Sequence, residues 1–317
     1  MVDIFHLPCG SMGKFSDVMH NPFSKIILGT VQLGMPYGLG RWKDMLMPES
    51  EAFAILDAAW EMGITTLDTS PDYGVAEARI AKYLKVNKSK SFQIISKIKQ
   101  IPSDIVNVKL KFKSYFDACP FTGFEACSSL SVLLHKEADI YRPEVLDELD
   151  AAVQRGQIMQ WGVSVYGEAF AIDAEKIETC LLIQLPFGVL NQSFARSGCI
   201  DCIGSKTTLL HARSLFAQGL LFLENDSLQD LSPEIRDIIN HVAKMASLSS
   251  QSKMQLGLRF VLSMAQINSA VLGVDKVEQL SELAQIITDP LKKNDISLLA
   301  HLFELAHQDA VRPEMWG

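Results

Sequence analysis

The chain predicts an α/β fold, a (β/α)8 TIM barrel, and three observations carry the prediction. Short apolar or β-branched runs recur with helix-like segments between them, the alternation expected of a parallel sheet covered by helices. Eight such runs can be counted, the number that closes a barrel. Several are apolar almost throughout, as strands buried on both faces are, and end in a polar residue. In a closed α/β barrel the active site gathers at the carboxyl ends of the strands, so those polar ends point to one rim.

The first run is Lys25 to Gly29, and Met35-Pro36-Tyr37-Gly38 reads as the loop after it, with Tyr37 placed to wall a substrate pocket. Ser50 is positioned to cap a helix whose apolar face is Phe53, Ile55, Leu56, Ala59, Trp60 and Met62, ending at Gly63. The second, third and fourth runs are Ile64 to Asp68, Phe92 to Lys97 and Leu130 to His135. Pro143 then opens a helix carrying Val145, Leu146, Leu149, Ala152 and Val153, which stops at Gly156. The remaining runs are Gln160 to Ser164, Cys180 to Gln184, Thr207 to His211 and Ser269 to Gly273. The N-terminal twenty residues and the stretch from about 212 to 232 fit the alternation poorly, and such additions often cover or line an active site. Without a linker, heptad pattern or repeat, residues 1–317 read as one domain: an extension at 1–24, a barrel core at 25–290 and a C-terminal segment at 291–317.

Bulk properties narrow the function. With 48% hydrophobic and 21% charged residues the chain has the composition of a globular protein. A net charge of −8 repels phosphate backbones, which argues against a nucleic-acid partner. No stretch reaches membrane-spanning length and no signal-peptide core appears, so no membrane partner is expected. The six cysteines are too sparse for a secreted disulfide framework, which makes a reducing cytoplasm the expected compartment. Cys199-Ile200-Asp201-Cys202 has a C-x-x-C spacing but no second pair or nearby histidine, and no metal site is expected.

The chemistry lies in four residues at or beyond the run ends: Asp68, Tyr73, Lys97 and His135. The segment Asp68-Thr69-Ser70-Pro71-Asp72-Tyr73-Gly74 sets a carboxylate at a strand end and a phenol across a turn. A free tyrosine, with a pKa of about 10, exchanges protons reluctantly near neutrality, and a neighbouring ammonium favours its ionised form. Lys97 can supply that charge, Asp68 can hold Lys97 cationic, and His135 can hydrogen-bond a substrate oxygen or assist proton transfer.

From about Ile26 to Leu283 the chain resembles the aldo-keto reductase superfamily. The resemblance rests on Gly29-Thr30-Val31-Gln32-Leu33-Gly34, on Ala52 to Gly74, on Lys97 and Leu133-Leu134-His135, on Trp161-Gly162-Val163-Ser164, and on Ala212-Arg213-Ser214 leading to Gln218-Gly219-Leu220. It implies a barrel that binds a nicotinamide cofactor without a Rossmann domain, and no G-x-G-x-x-G follows the first run. It implies that Tyr73 is the general acid in carbonyl reduction, that Lys97, paired with Asp68, depresses its pKa, and that His135 orients the carbonyl oxygen. The partner would be a small-molecule carbonyl or alcohol; the oligomeric state is left open. The resemblance also extends to potassium-channel β-subunits, so the alternative is a nicotinamide-binding regulatory subunit or redox sensor with little turnover.

The same resemblance assigns the nicotinamide carboxamide to Ser164 and Gln184 and a pyrophosphate contact to Arg213, with Ser214 beside it. It places the adenosine end of the cofactor at Gly273, Lys276, Gln279 and Glu282. Val165 stands where Asn is common, which removes one amide contact, and Gly188 likewise replaces an Asn. An aromatic usually stacks on the nicotinamide, and Phe187 and Phe216 are both candidates. NADP is the expected cofactor, with NAD the alternative. Asp275 stands where relatives often place a basic or hydroxyl residue near the 2′-phosphate of NADP, and its carboxylate would repel that phosphate.

Overall fold

The computed structural model describes residues 23–99, 101, 105–122, 127–203, 208–229 and 231–288. Eight parallel strands close in sequence order into one barrel. They are β1 (Ile26–Gly29), β2 (Thr66–Asp68), β3 (Gln93–Ile98), β4 (Ser129–Leu134), β5 (Gln160–Ser164), β6 (Cys180–Pro186), β7 (Leu209–Arg213) and β8 (Ser269–Leu272). Closure is made by β1 against β8, where Ile26 pairs with Ala270 and Leu28 with Leu272. All eight predicted runs are strands. The predicted start at Thr207 lies outside the described residues, as do almost all of segment 1–24 and all of 291–317.

Among the strand ends that differ from the expectation, those of β4 and β7 shape the rim. The β4 strand stops at Leu134, although the His135 amide still donates to Ile98 O at 3.0 Å. The β7 strand runs two residues beyond His211 because β6 also continues, and Leu185 and Pro186 pair with Ala212 and Arg213. Arg213 is therefore the last residue of a strand, not part of the following loop.

Period-two alternation sorts the side chains into two layers. Inside the barrel, Phe23 packs with Ile27, Ile95, Leu133, Leu182, Leu209 and Val271, contributed by six different strands. Their other faces, among them Leu28, Ile94, Val132, Val163, Ile183 and Leu210, join the larger core under the helices. Stepping up two residues from the inner cluster leads to Gly29, Lys97, His135, Gln184 and Gly273; from Leu209 two such steps lead through His211 to Arg213. The rim is thus a continuation of the barrel interior.

The helices mostly follow the sequence reading. Pro143–Gln154 begins with Pro143 in its first turn, where a missing N–H costs nothing, and the chain leaves it through Gly156 at φ 68°. The expected Ser50 cap is not formed. Helix Glu49–Glu61 starts one residue before Ser50, with Pro48 in the capping position and no side-chain cap. Pro48, at ψ 142°, sets the extended approach, and Glu49 and Glu51 complement the positive helix end. No helix of the described residues is long and apolar enough to cross a membrane.

Candidate active site

A cavity of about 600 Å³ opens at the carboxyl ends of the strands. Its wall includes Asp68, Tyr73, Lys97 and His135 together with Ser164, Gln184, Arg213, Ser214, Gly273 and Gln279. Ten of the expected residues thus share one surface. The Lys276 and Glu282 side chains do not reach this wall: Lys276 is exposed, and Glu282 is met through its backbone carbonyl by Gln255 Nε2 at 3.4 Å.

Asp68 ends β2 with its carbonyl fixed by Thr30, which donates from N–H at 3.0 Å and from Oγ1 at 2.9 Å. Its carboxylate accepts Lys97 Nζ at 2.6 Å on Oδ1 and Gln184 Nε2 at 2.8 Å on Oδ2, while Lys97 also donates to Thr69 O at 2.9 Å. Lys97 is 1% and Asp68 3% exposed. A buried ion pair is tolerable only when further hydrogen bonds satisfy both ions, as Gln184 and Thr69 do here. Burial disfavours the Lys97 ammonium, but Asp68 and then Tyr73 outweigh it and raise its pKa, so the residue stays charged.

The Tyr73 turn is fixed by local bonds: Tyr73 N–H donates to Ser70 O, Asp72 N–H to Ser70 Oγ and Val75 N–H to Gly34 O. Lys97 Nζ lies 5.0 Å from the centre of the Tyr73 ring. Burial is the largest influence on the phenol and raises its pKa; the ammonium pulls the other way without overcoming it. The net direction is upward, opposite to the depression expected from Lys97 alone, because the ring is withdrawn from water.

Sequence reasoning assigned no role to Asp72 or Lys99. Asp72 accepts an ion pair from Lys99 at 2.5 Å and meets His135 Nδ1 at 3.2 Å. Burial works against the Asp72 carboxylate, but Lys99 and His135 more than compensate and lower its pKa. His135 is itself shifted down, first by burial and next by the Lys97 charge, which leaves it neutral near pH 7. Lys99 follows the end of β3, and its only sequence signal was its two-residue spacing from Lys97.

The loop after β1 crosses the mouth. Leu39 N–H donates to Gln218 O at 2.8 Å, Arg41 N–H to Asp275 Oδ2 at 3.2 Å and Trp42 Nε1 to Asp275 O at 2.8 Å. Asp275 therefore ties this loop to the chain beyond β8, and burial raises its pKa against the opposing pull of Arg41. Tyr37 lines the cavity as expected, and its pKa is pushed up to about 12, mainly by burial.

A model of the aldo/keto reductase family matches residues 25–304. The chain belongs to the aldo/keto reductase family. An aldo-keto reductase from Alternaria alternata is 36% identical over 78 residues, a match spanning 24% of this chain and 19% of that protein. Among solved structures, an aldo-keto reductase from Bacillus halodurans in its holo form superposes with a TM-score of 0.70 at 18% identity, covering 92% of this chain and 94% of that one. A thermostable aldo-keto reductase in complex with the inhibitor epalrestat gives 0.66 at 18% identity, covering 90% and 98%. At these identities the structures support the barrel fold.

The aldo/keto reductase cavity has groups that fit a nicotinamide cofactor. Gln184 Oε1 and Gln32 Oε1 are buried, line the cavity and have no hydrogen-bond partner among the described residues. A carboxamide N–H would satisfy Gln184 Oε1 while its amide nitrogen keeps Asp68. The departures from the family pattern have structural reasons. A Cβ at Gly188 would stand 2.4 Å from Leu215 O, so the backbone there leaves no room for a side chain. Val165 is fully buried in the layer outside the barrel, and its carbonyl accepts Arg213 Nη2 at 3.2 Å. Of the two aromatic candidates only Phe216 reaches the cavity wall; Phe187 is buried and stacks on Phe260 with centroids 5.5 Å apart.

Proposed function

We propose that the protein reduces an aldehyde, ketone or sugar carbonyl to the alcohol with NADPH or NADH, or runs the reverse reaction, with Tyr73 as proton donor and acceptor. The observation that carries this reading is the buried Asp68–Lys97 pair, whose ammonium lies 5.0 Å from the Tyr73 ring centre at the cavity wall. When bound, the nicotinamide supplies the hydride. The carbonyl oxygen gains charge as hydride arrives, and Tyr73, kept protonated by burial, donates its phenolic proton there. Lys97 stabilises the phenolate that remains, and Asp68 and Thr69 hold the ammonium in place through fixed hydrogen bonds.

His135 enters in its neutral form. The ionised Asp72 carboxylate takes a hydrogen bond from Nδ1–H, which leaves Nε2 as an acceptor. His135 therefore orients the oxygen once it carries a proton, as the alcohol, and donation to a carbonyl would require the imidazolium. Ser164 and the free Gln184 oxygen hold the carboxamide, while Ser214, Gly273 and Gln279 line the remainder of the groove.

The test is a titration with NADPH and NADH, followed by cofactor oxidation with a carbonyl panel for wild type and Tyr73→Phe. Loss of the proton donor should lower kcat by roughly 10²- to 10⁴-fold with cofactor binding retained. Full turnover by Tyr73→Phe would remove the proton-donor assignment, and a wild type that bound neither cofactor would sink the reading as a whole.

A further inference from the structure

Arg213, expected at the pyrophosphate, is placed by strand register. It is the last residue of β7 and points inward in register with Leu209 and His211. Each guanidinium nitrogen is engaged: Nε donates to Ser164 Oγ at 3.2 Å, Nη2 to Val165 O at 3.2 Å and Nη1 to Ser214 Oγ at 3.3 Å. The Tyr166 ring, 45% exposed, covers the group from the solvent side with its centroid 4.2 Å from Cζ. Three of its five N–H donors are held by protein acceptors, and this planar cation also offers the cavity its face and its charge; guanidinium faces stack on flat rings.

That charge is not neutralised locally. No carboxylate among the described residues lies within ion-pair distance of Arg213, and an arginine does not deprotonate in a protein. Its field reaches the working groups, acting on Tyr37, Tyr73 and His135. The reductase reading assigns Ser164 to the carboxamide, and Ser164 Oγ is already within 3.2 Å of Arg213 Nε. A ring anchored at Ser164 is therefore brought next to the guanidinium. Phe187 lies away from the cavity, and Phe216 is held against Phe222 with centroids 5.0 Å apart.

Building on the reductase reading, we propose that Arg213 forms the platform for the nicotinamide ring, and that its fixed charge makes the protein bind the neutral reduced cofactor in preference to the cationic oxidised one. Like charges near van der Waals separation repel even when partly solvated, so the oxidised form should bind at least about tenfold more weakly. Weaker binding of the oxidised form favours its release after carbonyl reduction. A pyrophosphate contact would act differently, because both redox forms carry the same phosphates and would be affected equally.

The experiment measures dissociation constants of the reduced and oxidised forms of one cofactor by tryptophan fluorescence at fixed ionic strength, for wild type, Arg213→Met and Arg213→Lys. The ratio of oxidised to reduced constants should be about tenfold or more in wild type, collapse toward unity in Arg213→Met and largely persist in Arg213→Lys. An unchanged ratio in Arg213→Met, equal weakening of both forms, or the same change in the Met and Lys variants would each overturn the proposal. If the wild type binds both forms and reduces carbonyls but the ratio ignores Arg213→Met, this inference alone fails. If it binds neither form, the reductase reading fails and this inference falls with it.

Discussion

His211 shows how far a single buried residue can depart from its behaviour in water. It lies in mid-barrel between Leu209 and Arg213, fully buried and edge-on to Phe23 with ring centroids 5.1 Å apart, and neither ring nitrogen has a partner among the described residues. Burial alone pushes its pKa from 6.5 down to about 3. The folded state therefore resists a proton that the unfolded chain accepts, so stability is full above pH 6.5 and declines as pH falls toward 3. The loss should be about 1.4 kcal/mol per pH unit below 6.5. Urea midpoints measured between pH 6.5 and 4 should fall less steeply in His211→Leu than in wild type; equal slopes would show that His211 does not carry this sensitivity. Asp68, Tyr73, Lys97 and His135 were legible in the sequence because each ends or follows an apolar run. The inward aim of Arg213 was not legible, because it depends on β7 extending two residues alongside β6.

Elements position the site through close backbone contacts as much as through side chains. The short helix Val31–Gly34 packs on the Tyr73 turn so tightly that a Cβ on Gly34 would stand 2.0 Å from Tyr73 O. Gly74, at φ 57°, comes equally near: its own Cβ would be 2.3 Å from Gly34 O. Gly34→Ala must displace the turn that carries the phenol. A misplacement of about 1 Å can cost roughly 10²-fold in rate. The expected outcome is a fall in kcat of that order with the circular-dichroism spectrum of the barrel preserved; wild-type kcat would show that the turn tolerates the methyl group. The first Gly of this pair was visible in Gly29-Thr30-Val31-Gln32-Leu33-Gly34, but its reason was not, since the surface it meets lies near Tyr73 in a different loop. The Ser50 cap fails for a related reason: the preceding Pro48 already fixes where the helix starts.

At the scale of the molecule, the cavity is a joint product of strands from both ends of the chain. Asp68 and Gln184, joined by a hydrogen bond at 2.8 Å, are 116 residues apart, and Arg41 and Asp275 are 234 apart. A ligand held between such segments stabilises the folded barrel as a whole. At a hundred times its dissociation constant, the preferred cofactor should raise the unfolding free energy by about 2.7 kcal/mol. Thermal melts should show the gain in wild type and equally in Tyr73→Phe, which keeps the groove; no shift with either cofactor would contradict the assigned site. By itself the sequence determined the eight strands, their order and the polar residues at their ends, because periodicity and chain breaks are local properties. Only the tertiary structure decided that Gln184 braces Asp68, that Asp72 faces His135, that Asp275 holds the loop across the mouth and that Arg213 turns inward. Those pairings depend on barrel closure and strand register, which bring distant residues together, and the pKa shifts depend on the burial that closure imposes.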